Sequence, residues 1–227
     1  NSSEAPRCGV SQERVPTTLA QVAVASGPFF RTFHALRIKG FAKADTIAEV
    51  ADLHLDEVEE HLRELHEKGW AMFREARQLW QLTAEGHDAH GAALAADIGD
   101  ADLASALYVP YRDFLALDER LKAVCGDWQN RDGSPNDHSD PAHDRAVVQR
   151  LAEIDHEAGP TVAAMGEVLP RLAPYGPRLE RTCQRVLGGE TNMFTGVMCG
   201  SYHDVWMELH EDLILTQGFD RSDGGVS

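Results

Sequence analysis

Histidine, aspartate and aromatic residues gather in two segments of the C-terminal half, where they could bind a small molecule. One segment is the polar stretch that follows Trp128, and the other has helical spacing and lies near the C-terminus. If the first folds over the second, aromatic walls and a few polar groups would line a pocket. The eight predicted ligand-binding residues are Trp128, Asp137, His138, His143, Tyr202, His203, Trp206 and His210. The alternative is that Tyr202 and Trp206 are core residues and the polar stretch is an exposed connector.

The eleven histidines also raise the question of metal binding and acid–base catalysis. His203 and His210 would lie about 10 Å apart along a helix axis, too far to share one ion without ligands from other elements. Glu153 and His156 have the spacing of half a di-metal carboxylate site, but the second half is missing. The sequence therefore predicts no metal and no cofactor. No spacing fixes a His–Asp pair for proton transfer, so no catalytic residue is assigned and enzymatic activity stays an open question.

The spacing of apolar residues between positions 29 and 69 predicts three helices. The first is expected to end near residue 40. The capping-box pattern Thr46-x-x-Glu49 predicts the start of the second helix. The same pattern in Asp56-x-x-Glu59 predicts the start of the third helix.

A hairpin is predicted next, because the apolar pattern changes there from the helical repeat to the strand repeat. The two strands are expected at 70–74 and 78–82, around a turn at 75–77. Thr83 then has the position of a helix N-cap. Three helices, a two-stranded hairpin and a further helix, in this order, predict a winged helix-turn-helix in which the hairpin is the wing.

The rest of the sequence is predicted to be helical, so the expected fold class is mainly α. A helix over 101–128 is expected to break at Pro110, and another is expected to run from the Asp140-Pro141 pair to a restart at Pro160. The closing helix is predicted over about 197–216. The expected regions are an N-terminal arm at 1–28, a winged helix-turn-helix at 29–98, an all-α effector, ligand or oligomerisation domain at 99–217, and a tail at 218–227.

Motifs in both halves of the sequence carry a family resemblance. They are HALRIKGFAKADTIAEVADLHLDEVEEHLRELHEKGW and QLWQLTAEG in the first half, and DWQ, NDHSDPA and SYHDVWMELHEDL in the second. With these, residues 29–217 resemble the MarR-like winged-helix proteins of actinobacteria, which occur alone as regulators and joined to phosphoenolpyruvate-utilising proteins. The resemblance implies a transcriptional regulator that binds duplex DNA and responds to a small-molecule effector. About 130 residues follow the wing, where ordinary MarR regulators have one or two dimerising helices, so a homodimer stays an open alternative.

The distribution of charge limits where DNA could bind. The chain carries 21 Lys and Arg against 37 Asp and Glu, a net charge of −16, so as a whole it repels phosphate backbones. The predicted third helix is rich in acids, and cations occur at its end and in the wing. The predicted DNA-binding residues are Arg63, Lys68, Arg74 and Arg77. The alternative function is a winged helix that no longer binds DNA and acts as a small-molecule-binding protein or an enzyme with a His/Asp/aromatic pocket in the helical domain.

Cysteine usage and hydropathy predict a cytoplasmic protein that does not enter a membrane. The four cysteines lie far apart and form no CxxC pair, unlike those of a small secreted disulfide scaffold. No run reaches 18 apolar residues, which is about the length that a membrane-spanning helix needs. The mildly apolar run at 17–26 is too short for a signal peptide and is assigned to the N-terminal arm or a short first helix.

Overall fold

The computed structural model describes residues 26–99 and 102–218, which are mainly helical with small antiparallel sheets. The N-terminal part contains α1 (Pro28–Lys39), β1 (Phe41–Ala42), α2 (Ala44–Ala51), α3 (Leu55–Glu67), β2 (Ala71–Arg74), β3 (Leu79–Leu82) and α4 (Ala84–Ile98). The C-terminal part contains α5 (Leu103–Gln129), β4 (Asn130–Arg131), β5 (Ser134–Pro135), α6 (Pro141–Val168), a 3-10 helix (Pro170–Leu172), α7 (Tyr175–Leu187), α8 (Asn192–Thr195) and α9 (Tyr202–Gln217). The mainly α fold class is thus confirmed, whereas most of the predicted arm and most of the predicted tail lie outside the described residues.

The three strands of the N-terminal part form one antiparallel sheet in the order β1–β3–β2. Ala71 pairs with Leu82, and Phe73 pairs with Trp80. Because side chains alternate along a strand, these four share one face of the β2–β3 hairpin. This face packs on α3, where the rings of His66 and Trp80 are in contact. The strand β1, which the sequence did not predict, has only two residues and is too short to show a strand repeat.

Two separate groups of buried apolar side chains stabilise the structure. The first lies between α1, α2, α3 and the sheet and contains Phe33, Ala35, Leu36, Ala42, Ile47, Ala48, Ala51, Val58, Leu62, Leu65, Ala71 and Leu82. The second lies among the long helices of the C-terminal part, and its largest fully buried members include Phe114, Leu121, Leu151, Phe194, Tyr202 and Trp206. The two cores are distinct, so whatever joins them decides how the two parts are held together.

The helix α4 begins as predicted, with Thr83 as its N-cap. The Thr83 hydroxyl accepts a hydrogen bond from the backbone N–H of Gly86 at 3.0 Å and donates one to the carbonyl of Gly69 at 2.7 Å. This cap draws the first turn of α4 against the end of α3. A Cβ atom at Gly86 would overlap the carbonyl oxygen of Trp70, so only glycine fits there.

The capping box predicted at Thr46 is wrong, whereas α3 begins at Leu55, within one residue of the start predicted at Asp56. The N-caps of α2 and α3 are Lys43 and His54, and neither caps through its side chain. The Thr46 hydroxyl donates to the neighbouring Asp45 carboxylate at 3.2 Å instead of capping the helix. Apolar burial fixes where these helices begin, because the fully buried Ile47 already lies in the first turns of α2. A capping pattern adds only about 1 kcal/mol, which such burial can outweigh.

The predicted breaks at two prolines are also wrong, since α5 runs through Pro110 and α6 runs through Pro160. A proline inside a helix removes one backbone hydrogen bond and crowds the preceding turn. Here the residues on either side of each proline are buried in one core, such as Leu107 and Phe114 around Pro110. Their burial holds the helix axis in place despite the missing bond.

The closing helix begins five residues later than predicted, at Tyr202 instead of 197. Its N-cap is Ser201, whose hydroxyl accepts from the backbone N–H of Asp204 at 3.1 Å. The Asp204 carboxylate in turn accepts from the N–H groups of Cys199 and Gly200, which turns the preceding segment away from the helix. In the described ranges, no helix is long and apolar enough to cross a membrane.

Candidate functional site

A groove of about 480 Å³ lies between α3, the start of α2 and the β2–β3 hairpin. Its apolar wall contains Leu55, Phe73 and Trp80, and the rings of Phe73 and Trp80 have their centroids 5.0 Å apart. The charged residues of the lining are Lys43, Asp45, Glu59 and Arg63. Two cations balance two anions, so the groove combines an aromatic wall with a rim of no net formal charge.

The first two predicted DNA-binding residues lie apart along α3. Arg63 lines the groove and is exposed. Lys68 lies at the C-terminal end of α3, where its ammonium is 3.4 Å from the Glu64 carboxylate and sits over the Trp70 ring. The exposed Lys68–Glu64 pair is a surface contact that contributes little to stability. It also offsets much of the charge that Lys68 could offer to a phosphate.

The other two predicted DNA-binding residues belong to the hairpin. Arg74 alternates with Phe73 along β2 and therefore lies on the face opposite the groove, where its Nε donates to Gln81 at 3.3 Å. Arg77 is exposed in the turn of the hairpin. The four predicted cations thus surround the hairpin and the end of α3 instead of forming one continuous patch.

The outer face of α3 is anionic. Its exposed acids are Asp56, Glu59, Glu60, Glu64 and Glu67. A helix that reads DNA places its N-terminal residues on base edges and phosphates, and the first turn of α3 carries two acids and no cation. Contact with a phosphate backbone on this side of the molecule would therefore depend on the cations of the hairpin and on Lys43 and Arg63 at the groove.

Three of the eight predicted ligand-binding residues meet around the connection between α5 and α6. The Trp128 and His138 rings have their centroids 4.4 Å apart. The Nδ1 atom of His138 lies 3.1 Å from the Asp144 carboxylate, and Nε2 of His143 lies 3.0 Å from the carbonyl oxygen of Asp127. This arrangement orients His138 between an aromatic face and a carboxylate, as a binding or proton-transfer group requires.

Asn136, which belongs to the predicted polar stretch but is not one of the eight predicted ligand-binding residues, positions the polar groups of this connection. Its Nδ2 donates to the Asp144 carboxylate, and its Oδ1 accepts from the backbone N–H of His138, each at 3.1 Å. The fourth predicted residue of the loop, Asp137, binds locally, because its carboxylate accepts from the backbone N–H of Ser139 at 3.0 Å. Hydrogen bonds from Ser139 lower the pKa of Asp137, so this carboxyl stays ionised.

The remaining four predicted residues lie on α9. Tyr202 and Trp206 have no exposed surface, and the Trp206 Nε1 atom donates to the buried Asp118 carboxylate at 2.8 Å. A ligand could reach these two rings only if the core opened. His203 and His210 are half-buried on the same helix. In the described contacts, the loop residues touch one another, and the rings of Tyr202 and Trp206 pack in the core. A pocket shared by all eight predicted ligand-binding residues stays a prediction.

A second polar cluster, which the sequence did not indicate, is buried where α1 and α4 meet the C-terminal part. We name it the α1–α9 junction and define it as His34, Lys39, His90, Asp97, Arg171, Tyr175, Arg178, Glu208, Asp212 and Thr216. These residues come from α1, α4, the 3-10 helix, α7 and α9. The junction therefore connects the two parts that hold the separate cores.

Two histidines and an aspartate form a continuous chain in the junction. The Nε2 atom of His90 lies 2.9 Å from Nδ1 of His34, and Nε2 of His34 lies 3.0 Å from Oδ1 of Asp212. All three residues are less than 5% exposed. The Phe30 ring stacks on both imidazoles, which shields them on one side. The chain runs from α4 through α1 to α9.

An arginine closes the other side of this chain. Nη2 of Arg171 donates to the Thr216 hydroxyl at 2.5 Å and to Asp212 at 3.3 Å, while Nη1 lies 3.7 Å from Asp97. The Tyr175 hydroxyl donates to the second oxygen of Asp212 at 3.3 Å. Buried carboxylates are costly unless several donors satisfy them. The Asp212 carboxylate has donors from three elements, namely Arg171 on the 3-10 helix, Tyr175 on α7 and Thr216 on α9.

A second carboxylate, Glu208, lies one turn before Asp212 on α9. It accepts from Lys39 at 2.6 Å and from Arg178 at 2.6 Å, one bond from α1 and one from α7. The junction thus contains three permanent cations and three carboxylates. The formal charges balance without a proton on either histidine.

Burial sets the protonation of the junction. Burial, together with the nearby charges of His34, Arg37 and Arg171, lowers the pKa of His90 from 6.5 to about 3, so His90 is neutral over the ordinary pH range. Burial by itself would raise the pKa of Asp212, but the charges of His34 and Arg171 outweigh it and hold this pKa below its ordinary value. A neutral imidazole and an ionised carboxylate therefore lie at the two ends of the chain.

Comparison with models of known protein families, with curated proteins and with solved structures finds no match to this chain. Within the described residues, no group of three or more His, Cys, Asp or Glu side chains has the geometry to hold a metal ion. Function must therefore be inferred from the groove, the loop cluster around His138 and the junction themselves.

Proposed function

We propose that the chain is a winged-helix transcriptional regulator that contacts duplex DNA mainly through its hairpin. The observation that carries this proposal is the element order α1–β1–α2–α3–β2–β3 with the sheet order β1–β3–β2. In a winged helix-turn-helix, the third helix and the wing form the face that meets DNA. The MarR-like resemblance of the sequence supports the same function.

Charge assigns the leading contact to the hairpin. The exposed acids of α3 repel phosphates, and the first turn of this helix carries no cation. Arg74 and Arg77 are exposed on β2 and in the hairpin turn, and both can extend toward a phosphate backbone. Binding through few cations on an anionic protein is expected to be weak and strongly salt-dependent.

In this proposal, the helical C-terminal part binds the small-molecule effector. Its best-supported site is the cluster of Trp128, His138 and Asp144, because these three side chains are held together by short contacts. His143 lies beside them, bound to the backbone carbonyl of Asp127. An aromatic face beside an oriented histidine suits a small polar molecule with a flat apolar portion.

The proposal is tested by titrating labelled duplex DNA from the promoter of the chain's own gene and measuring fluorescence anisotropy. We expect binding at about 50 mM salt that weakens steeply by about 200 mM. The double variant Arg74→Ala/Arg77→Ala should bind about tenfold more weakly, and its slope of log affinity against log salt should be smaller by about two.

The matched control is Arg112→Ala/Arg145→Ala, which removes the same charge from exposed positions on α5 and α6. It should bind as the unchanged protein does. Equal weakening by both double variants would mean that only net charge matters. Folded protein that binds no promoter DNA even at about 50 mM salt would contradict the proposal.

The anionic face of α3 favours a second candidate from a different class, a winged-helix protein that does not bind DNA and binds or transforms a small molecule in its helical part. The two candidates differ in one simple observation. The second requires a ligand that raises the melting temperature while promoter DNA has no effect. His138→Ala should abolish this ligand response, because His138 contacts both Trp128 and Asp144.

A further inference from the structure

The contact between His34 and His90 can hold only a limited number of protons. Its two nitrogens are 2.9 Å apart, so one must donate and the other must accept. With no added proton, or with one, this condition is met. With two added protons both nitrogens carry hydrogen, the hydrogen bond is lost, and two cations face each other in a buried site.

The surroundings cannot absorb the extra charge. The charged and titratable groups around the pair are Arg37 and Lys39 on α1, His87 and Asp97 on α4, Arg171 on the 3-10 helix, Tyr175 and Arg178 on α7, and Glu208, Glu211 and Asp212 on α9. Each carboxylate of this set already contacts an arginine or a lysine. A second proton on the imidazoles therefore has no anion left to balance it.

We propose that the hydrogen bond between His34 and His90, anchored on Asp212, is a proton-operated lock that fastens α1 and α4 to α9 and opens when both imidazoles are protonated. The lock lies between the two cores, each of which has its own buried apolar side chains. Opening therefore separates the two parts at the α1–α9 junction and lets the helices that met there, α1, α4 and α9, open locally, while α5 and α6 keep their packing in the C-terminal core. The lock does not depend on whether the chain binds DNA.

The size of the effect follows from linkage. In the closed state the pKa of His90 is about 3, and in the open state it returns to its ordinary value of 6.5. Acid therefore favours the open state, which takes up a proton that the closed state excludes. Between about pH 7.5 and about pH 5 the equilibrium constant for opening should rise about 30-fold, and below about pH 3 it should rise no further.

The test is hydrogen–deuterium exchange of the complete chain at about pH 7.5 and about pH 5, read by peptide mass and corrected for the pH dependence of intrinsic exchange. Peptides from α1, α4 and α9 should lose about 30-fold protection at the lower pH. Peptides from α5 and α6, whose buried faces form the C-terminal core, should keep their protection. Equal protection of α1 and α9 at both pH values overturns the lock, as does an equal loss in α5 and α6, which would mean global unfolding.

The variant His90→Gln removes the proton site and keeps a side chain that can hydrogen-bond to His34. Its protection in α1 and α9 should change less than threefold between the two pH values. The control His54→Gln alters an exposed histidine and should behave as the unchanged protein does. A full 30-fold loss in His90→Gln would overturn the lock. The measurements on the unchanged protein decide the question even if this variant does not fold.

Discussion

At the scale of single residues, Trp206 shows how a core side chain can look like a ligand contact. Its ring is fully buried against Phe114, with centroids 4.7 Å apart, and its indole N–H satisfies the Asp118 carboxylate. Lys122 reaches the second oxygen of Asp118 at 3.0 Å from solvent. An aspartate with 3% exposure depends on such donors.

Trp206→Phe should therefore lower the free energy of unfolding by about 2 kcal/mol, because it leaves a buried carboxylate without its internal donor. Urea denaturation followed by circular dichroism measures the change. The comparison variant Asp118→Asn keeps an oxygen acceptor for the indole and should cost less than half as much. Equal costs for the two would contradict this prediction, because they would show that the charge of Asp118 stabilises the core as much as its bond to Trp206 does.

At the scale of elements, α4 is positioned by the close approach of Gly86 to Trp70. The matched pair Gly86→Ala and Gly91→Ala tests this contact, since both glycines lie on α4 and only the first would place a Cβ against backbone. Gly86→Ala should destabilise the protein by about 3 kcal/mol through overpacking. Gly91→Ala should stabilise it by up to about 1 kcal/mol, because alanine favours the helix.

Melting temperature reports both changes. A neutral Gly86→Ala would mean that α4 can shift away from the hairpin without cost, which the Thr83 hydrogen bonds make unfavourable.

The same scale shows what sequence can and cannot predict. The hairpin and the Thr83 cap are local patterns, and they are confirmed. The predictions of helix breaks at Pro110 and Pro160 were wrong, because the residues on both sides of each proline are buried against helices that are distant in sequence. Of the predicted ligand-binding residues, Trp128 and His138 are in contact and His143 lies close by, whereas ligand binding by them stays a prediction.

The α1–α9 junction could not be found in this way, since His34 and Asp212 are 178 positions apart. The signals available were His34 on the apolar face of α1 and two acids, Glu208 and Asp212, one turn apart on a helix that is otherwise largely buried. Neither signal predicts that the other is its contact partner. Only the tertiary arrangement shows that they meet.

At the scale of the whole molecule, the two cores are fastened by charged groups. Glu208 is the clearest test, because it accepts from Lys39 and Arg178 while only 5% exposed. Glu208→Gln should cost about 3–5 kcal/mol, since it leaves the buried Arg178 and the partly buried Lys39 without their carboxylate. The control Glu157→Gln breaks the exposed pair with Arg120 and should cost less than about 1 kcal/mol.

Calorimetry shows whether the Glu208→Gln variant unfolds in one transition or in two. If the junction couples the two cores, the single unfolding transition of the unchanged protein should split into two transitions in the variant. A Glu208 variant as stable as the Glu157 control would show that the two parts are held together by something other than these ion pairs.

The polar character of the junction also matters while the chain is being synthesised. The N-terminal part leaves the ribosome well before α9, so its junction face must wait in water for its partner. That face carries His34, Arg37 and Lys39, which hydrate readily. An apolar face in the same place would expose aggregation-prone surface to other nascent chains during that delay. A junction built from charged groups therefore leaves less apolar surface on the N-terminal part during this delay.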